Sequence, residues 1–145
     1  MPRIWFNKTE PLASFEGVRS MADGLGKALE MSVKELGDDF IIMSMPIKAI
    51  HKQPRGIVHG GSYCALAEGI ASIAANLTLD LSKHMAVGQQ LSINYIRSAT
   101  EGTIIAKTTA THLGRSSHIW DITMHLEETG KLLSKGTLTL AILNQ

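Results

Sequence analysis

Between Arg55 and Asp80 the chain carries one charged side chain, Glu68, in a stretch otherwise made of apolar and small residues. Just upstream stands Gln53-Pro54-Arg55-Gly56-Ile57-Val58-His59-Gly60-Gly61. A carboxylate on a core-bound helix is costly to bury unless something pairs it or uses it. Glycines and a histidine where that helix begins leave backbone N–H groups able to hold a developing negative charge. A carboxylate base or nucleophile facing such a helix end is the equipment of acyl-transfer hydrolysis. On a helix Glu68 shares a face with Cys64, Ala65, Ala71, Ser72 and Ala75, all small, so another backbone or a ligand can approach closely there. The competing reading is a Glu68 satisfied by a partner, with glycines that only turn the chain and a core His59. The lack of any other charge nearby in sequence weighs against it.

These residues need a helix to carry them, expected from about Ser62 to Leu79 and roughly 27 Å long. Strands surround it. Leu29 to Leu36 and Phe40 to Pro46 flank the turn composition Gly37-Asp38-Asp39. After the helix, Met85 to Arg97 alternates Val87, Gln89, Leu91, Ile93 and Tyr95 against Gly88, Gln90, Ser92 and Asn94. Gly102 to His112 is rich in Thr and Ile. Ser117 to Glu127 sets Trp120, Ile122, Met124 and Leu126 on one face, and Leu132 to Leu143 closes the chain. Period-two patterning with tight turns predicts an antiparallel sheet covered on one face. Near the start, Thr9 to Leu29 has helical spacing, with Thr9 as cap and Pro11 in the first turn, until Gly24 and Gly26 break it.

One long central helix wrapped by a six-stranded antiparallel sheet, with a short N-terminal helix, is an α+β plan. It resembles the hotdog fold, and the chain resembles that fold's acyl-CoA thioesterases from about Leu29 to Leu143. The motif Gln53-Pro54-x-Gly56-x-x-His59-Gly60-Gly61, followed by Leu66-Ala67-Glu68, is similar to the branch that uses a helix glutamate, the phenylacetate-pathway and dihydroxynaphthoyl-CoA thioesterases. Arg97-Ser98-Ala99 and His112-Leu113-Gly114-Arg115 match its later motifs. The resemblance implies Glu68 as base or nucleophile and Ser72 one turn on as its helper. It implies the Gly60 N–H and His59 as carbonyl polarisers, and Gln53 as a contact to the reacting group. Coenzyme A contacts would fall on Gly88, on Tyr95, Ile96, Arg97 and Ser98, and on His112, Leu113, Gly114, Arg115, Ser116 and Ser117. Tyr95 stands where close relatives often carry His.

Gly60 and Glu68 are eight residues apart on one rod, roughly 12 Å along its axis. Two antiparallel helices of a symmetric dimer bring one helix's start beside the other's middle. The expectation is therefore a homodimer with two composite sites: Gln53, His59 and Gly60 from one protomer, Glu68 and Ser72 from its mate. The resemblance, rather than the spacing, extends this to a homotetramer.

The 145 residues suit one domain spanning 1–145, with 44% hydrophobic and 19% charged residues and a formal charge of +1. Acids and bases are mixed, with no basic block, so nucleic acid is not an expected partner. The single Cys64 excludes an intrachain disulfide and fits a reducing cytoplasm. Neither a signal peptide nor a membrane span is expected, since the longest apolar stretch holds His59, Glu68, Ser72 and Asn76. No Gly-x-Ser-x-Gly elbow supports a lipase-type serine enzyme, and no orienting partner is evident for Cys64 as nucleophile. His112, His118 and His125 lack metal-type spacing, so no metal is expected, nor any cofactor beyond the coenzyme A thioester as substrate. A hotdog hydratase or dehydratase needs an Asp/His pair that the helix region lacks. A non-catalytic acyl-CoA binder remains the other alternative.

Overall fold

Turn residues and period-two patterning divide the chain into strands around one helix. The computed structural model describes residues 3–8 and 23–145. A four-residue helix, α1 (Leu25–Ala28), precedes β1 (Ser32–Leu36) and β2 (Phe40–Pro46). A 3-10 turn at Ala49–His51 leads to the long helix α2 (Gly60–Leu77). Then come β3 (His84–Tyr95), β4 (Thr103–Leu113), β5 (Ser117–Leu126) and β6 (Leu132–Asn144). They form a six-stranded sheet ordered β1-β2-β4-β5-β6-β3, antiparallel at every pairing. This is the hotdog plan. The helix expected over Thr9 to Leu29 lies mostly outside the described residues; within them, Gly24 at φ 69° opens α1.

The core lies between α2 and one face of the sheet. Leu66, Ala67, Ile70, Ala71 and Ala74 of α2 are fully buried, as are Ile41, Met45, Ile104, Ala106, Trp120, Met124, Leu138 and Leu140 of the strands. Each large side chain buried this way contributes about 1.5–3 kcal/mol. On β5 the burial alternates as expected, with His118 joining Trp120, Ile122 and Met124 on the covered face. The N-terminal Ile4-Trp5-Phe6 seals one end: Trp5 stacks on Trp120 at 6.3 Å and donates from Nε1 to the Gly37 carbonyl at 2.7 Å.

Strand β3 departs from simple alternation. Its pairing with β6 shifts between Gly88 and Gln90, a bulge that adds one residue to β3. Ala86 and Gly88 therefore face α2 before the bulge, and Leu91 and Ile93 face it after. The expected grouping of Val87 with Leu91 fails for this reason. Helix and strand are joined here by Asn76. Its Nδ2 donates to the Ser72 and Ala86 carbonyls at 2.9 and 3.0 Å, and its Oδ1 accepts the Ala86 N–H at 2.9 Å.

Candidate active site

The corner that starts α2 is held by main-chain bonds. The His51 carbonyl accepts both the His59 N–H at 2.8 Å and the Ser62 hydroxyl at 2.9 Å. His51 itself is fully buried: its Nδ1 accepts the Lys48 amide, which leaves Nε2–H to donate to the Leu29 carbonyl at 2.8 Å. Gly56, at φ 83°, supplies the left-handed residue that the loop needs. His59 is the N-cap, and its Nδ1 accepts the Gly61 N–H at 2.7 Å. That bond places the proton of the neutral ring on Nε2 and makes the outer edge of the ring a donor. With the Gly61 amide so used, the Gly60 N–H, first in the helix, is left without an intrahelical acceptor, at the positive end of an 18-residue helix. Gln53 adds to this donor set. Its Oε1 accepts the Arg55 N–H at 2.6 Å, which turns its NH₂ into the available group.

Glu68 lies two turns further along α2. Among the described residues no ion pair involves it. It accepts the Ser72 hydroxyl at 3.2 Å and lies against the α-carbon of Gly88, where any side chain would collide with its carboxylate. The partly exposed strip of the helix is Cys64, Ala65, Glu68, Gly69, Ser72 and Asn76. Ala71 and Ala75, expected on the Glu68 face, point into the sheet and are fully buried. An acid with no cation beside it among the described residues, a hydroxyl at hydrogen-bond distance and small neighbours can take a proton from water or attack a carbonyl.

Two hollows flank these groups. One of about 210 Å³ is lined by Asp23, Leu25, Gly26, Met31, Met43, Ala65, Glu68, Gly69 and Ile73, so the carboxylate borders a mainly apolar cavity. The other, about 410 Å³, joins Gln53, Ile57, Val58, Gly60 and Tyr63 with Tyr95, Ile96, Arg97 and Ser98. The expected catalytic residues thus fall into two groups, each with part of the expected coenzyme A set beside it. Gln53, His59 and Gly60 gather with Tyr95 to Ser98 at the start of α2; Glu68, Ser72 and Gly88 gather at its middle. Arg97 is exposed and donates to the Leu132 carbonyl at 3.0 Å. His112, Leu113, Arg115 and Ser116 are exposed on the β4–β5 hairpin, which is closed by the Gly114 N–H donating to the Ser117 carbonyl at 2.9 Å. His112 and Leu113 line a third hollow of about 380 Å³ with Ile4, Asp39 and Thr109. Among the described residues no three His, Cys, Asp or Glu are grouped to hold a metal ion. None of the described helices is long and apolar enough to cross a membrane.

Sequence reasoning missed several residues that shape the site. His51, Ser62 and Asn76 act through backbone groups far away in the chain, and no local pattern marks them. Met31, Met43 and Leu25 wall the cavity from other elements. Tyr63, a large residue in an Ala- and Gly-rich helix, was the one local signal. It is buried, its hydroxyl has no partner among the described residues, and burial pushes its phenol above the usual range.

Comparison with known proteins agrees with this layout. The family model described as thioesterase superfamily matches residues 55–133. The 1,4-dihydroxy-2-naphthoyl-CoA hydrolase of Escherichia coli K12 is 33% identical over 141 residues, 97% of this chain and 99% of that protein. The proofreading thioesterase EntH of Cronobacter sakazakii is 35% identical over 108 residues, 74% of this chain and 77% of its own. A crystal structure of a mutant thioesterase from Pseudomonas aeruginosa superposes with a TM-score of 0.90 at 29% identity, covering 98% of this chain and 99% of that one. The family match runs from the glycine corner through Glu68 to the start of β6. On that continuous match the chain belongs to the thioesterase superfamily of thioester hydrolases.

Proposed function

We propose that this thioesterase hydrolyses acyl-CoA thioesters at composite sites formed by two copies of the chain. The observation that carries this reading is Glu68, free of any ion pair among the described residues, held by Ser72 and opening onto an apolar cavity. The donors that must balance it lie at the start of the same helix, roughly 12 Å away, beyond the reach of one carbonyl. A twofold pairing of helices along the small-residue strip supplies the missing half. Edge strand β3 supports it too: 12 residues long, it pairs with β6 on one side and is the terminal strand of the sheet on the other.

In each site the Gly60 N–H, the His59 Nε2–H and the Gln53 NH₂ of one protomer hold the thioester oxygen, and the partner's Glu68 works on the carbonyl carbon. As general base, Glu68 takes a proton from water while the hydroxide adds to the carbon. The C–S bond then breaks, and the thiolate leaves and is protonated to free coenzyme A. As nucleophile, Glu68 adds directly and gives a mixed anhydride that water opens to the same products. The apolar cavity takes the acyl tail, aliphatic or aromatic. The exposed Arg97, Arg115 and hairpin serines serve the nucleotide.

Thiol release from a panel of aliphatic and aromatic acyl-CoAs, and from acyl-carrier thioesters, tests this on wild type and Glu68→Gln. Release from acyl-CoA that collapses in the variant is the expected result. Near-full release by Glu68→Gln removes Glu68 from the mechanism, and binding without release identifies a non-catalytic binder.

A further inference from the structure

Tyr95 ends β3 and lies over the first turn of α2. Its hydroxyl donates to the Gly60 carbonyl at 3.3 Å and lies 3.0 Å from Cys64 Sγ. Since the phenol proton goes to Gly60, the thiol must be the donor in the other bond. The result is a chain running from Cys64 S–H to Tyr95 O–H to Gly60 C=O, in which each link strengthens the next. The ring closes on the glycine as well: a Cβ at Gly60 would be 3.0 Å from Tyr95 Cζ. Tyr63 supports the ring from beside it, at 5.9 Å between centroids and 50° between planes. In an α-helix the Gly60 carbonyl also takes the Cys64 N–H, so both side chains bear on the bond that closes the first turn.

We propose that Tyr95 and Cys64 are positioning residues that hold the first turn of α2, so that its leading Gly60 N–H stays aimed at the thioester oxygen. This rests on the hydrolytic reading of the site and assigns Tyr95 a role other than contact with coenzyme A. Its hydroxyl is committed within the chain, to the Gly60 carbonyl. The clamp also links the two halves of the site, because β3 touches Gly60 through Tyr95 and Glu68 through Gly88.

The test uses the full chain with Tyr95→Phe, Cys64→Ala and Cys64→Ser. Hydrogen exchange of the Cys64 amide, measured without substrate, reads the clamp directly. One lost hydrogen bond corresponds to exchange about three- to tenfold faster in Tyr95→Phe. Cys64→Ala should show a smaller rise, and Cys64→Ser, which keeps a donor, should restore the wild-type rate. On any thioester that is cleaved, kcat should fall about three- to tenfold in Tyr95→Phe while KM stays within about twofold. Unchanged exchange overturns the clamp whether or not a thioester is cleaved. Faster exchange with kcat intact, or with the loss confined to KM, overturns its link to the reaction. If wild type cleaves no thioester, the hydrolytic reading fails and exchange alone judges the clamp.

Discussion

At the start of α2 the polar groups are tied back into the fold: His59 to Gly61, Ser62 to His51 and Tyr95 to Gly60. Eight residues along, Glu68 has one hydroxyl partner among the described residues and borders a cavity. The donor end is tied back to the backbone by several side chains; among the described residues the carboxylate end has one such bond. The contrast fits the two tasks proposed for these ends. Donors for a developing oxyanion work only if they are aimed beforehand, whereas a base needs room for a water and an acyl group.

The largest expected effect is at the sparse end. Glu68→Gln should lower kcat by about 10²- to 10⁴-fold with little change in thermal midpoint, since the side chain holds little of the fold. Gly60→Ala tests the donor end. Its methyl would press on the Tyr95 ring and displace the turn, so kcat should fall on the order of 10²-fold. If Gly60→Ala were silent, the two ends would not differ in the way described.

Next comes the joint between helix and sheet. Asn76→Leu strands the N–H and C=O of Ala86 and should cost about 2–4 kcal/mol in urea unfolding. Gly69→Leu tests the cavity: among the described residues a Cβ there meets Met31 Sδ, at 3.8 Å, so a larger side chain grows into the cavity. Relative kcat/KM for bulky over short acyl-CoAs should drop about tenfold. Equal losses for every acyl length would detach the cavity from substrate choice.

The smallest effect concerns pH. Burial, with His112 nearby, holds the His118 imidazole below its ordinary 6.5, and its Nδ1 has no partner among the described residues. The folded state therefore binds this proton less well than the unfolded chain. The corresponding stability is present above 6.5 and is lost as pH falls below it. Thermal midpoints recorded from pH 7.5 down to 5 should decline, and His118→Gln should flatten that decline.

Much of this layout was legible in the residues. Glu68 stands out because nothing else in its stretch is charged, and the strands because their apolar residues alternate between turn-formers. Two things were hidden. The bulge in β3 inverts the alternation without any proline or charge to mark it. The groups that steady the corner meet across long separations, as Tyr95 meets Cys64 and His51 meets Leu29. Tyr95 was legible only by analogy, as a nucleotide contact, and its bonds inside the chain lead to a different role.

The added residue in β3 has one more consequence. Gly88 and Tyr95 are separated by an odd number of positions, so in an unbroken strand only one of them could look toward α2. The insertion near Gln89 lets one ribbon support the acid at one point and the glycine turn at another. Removing that single residue would rotate one support to the far side of the sheet, so viable length changes in β3 between these two contacts should come in even numbers.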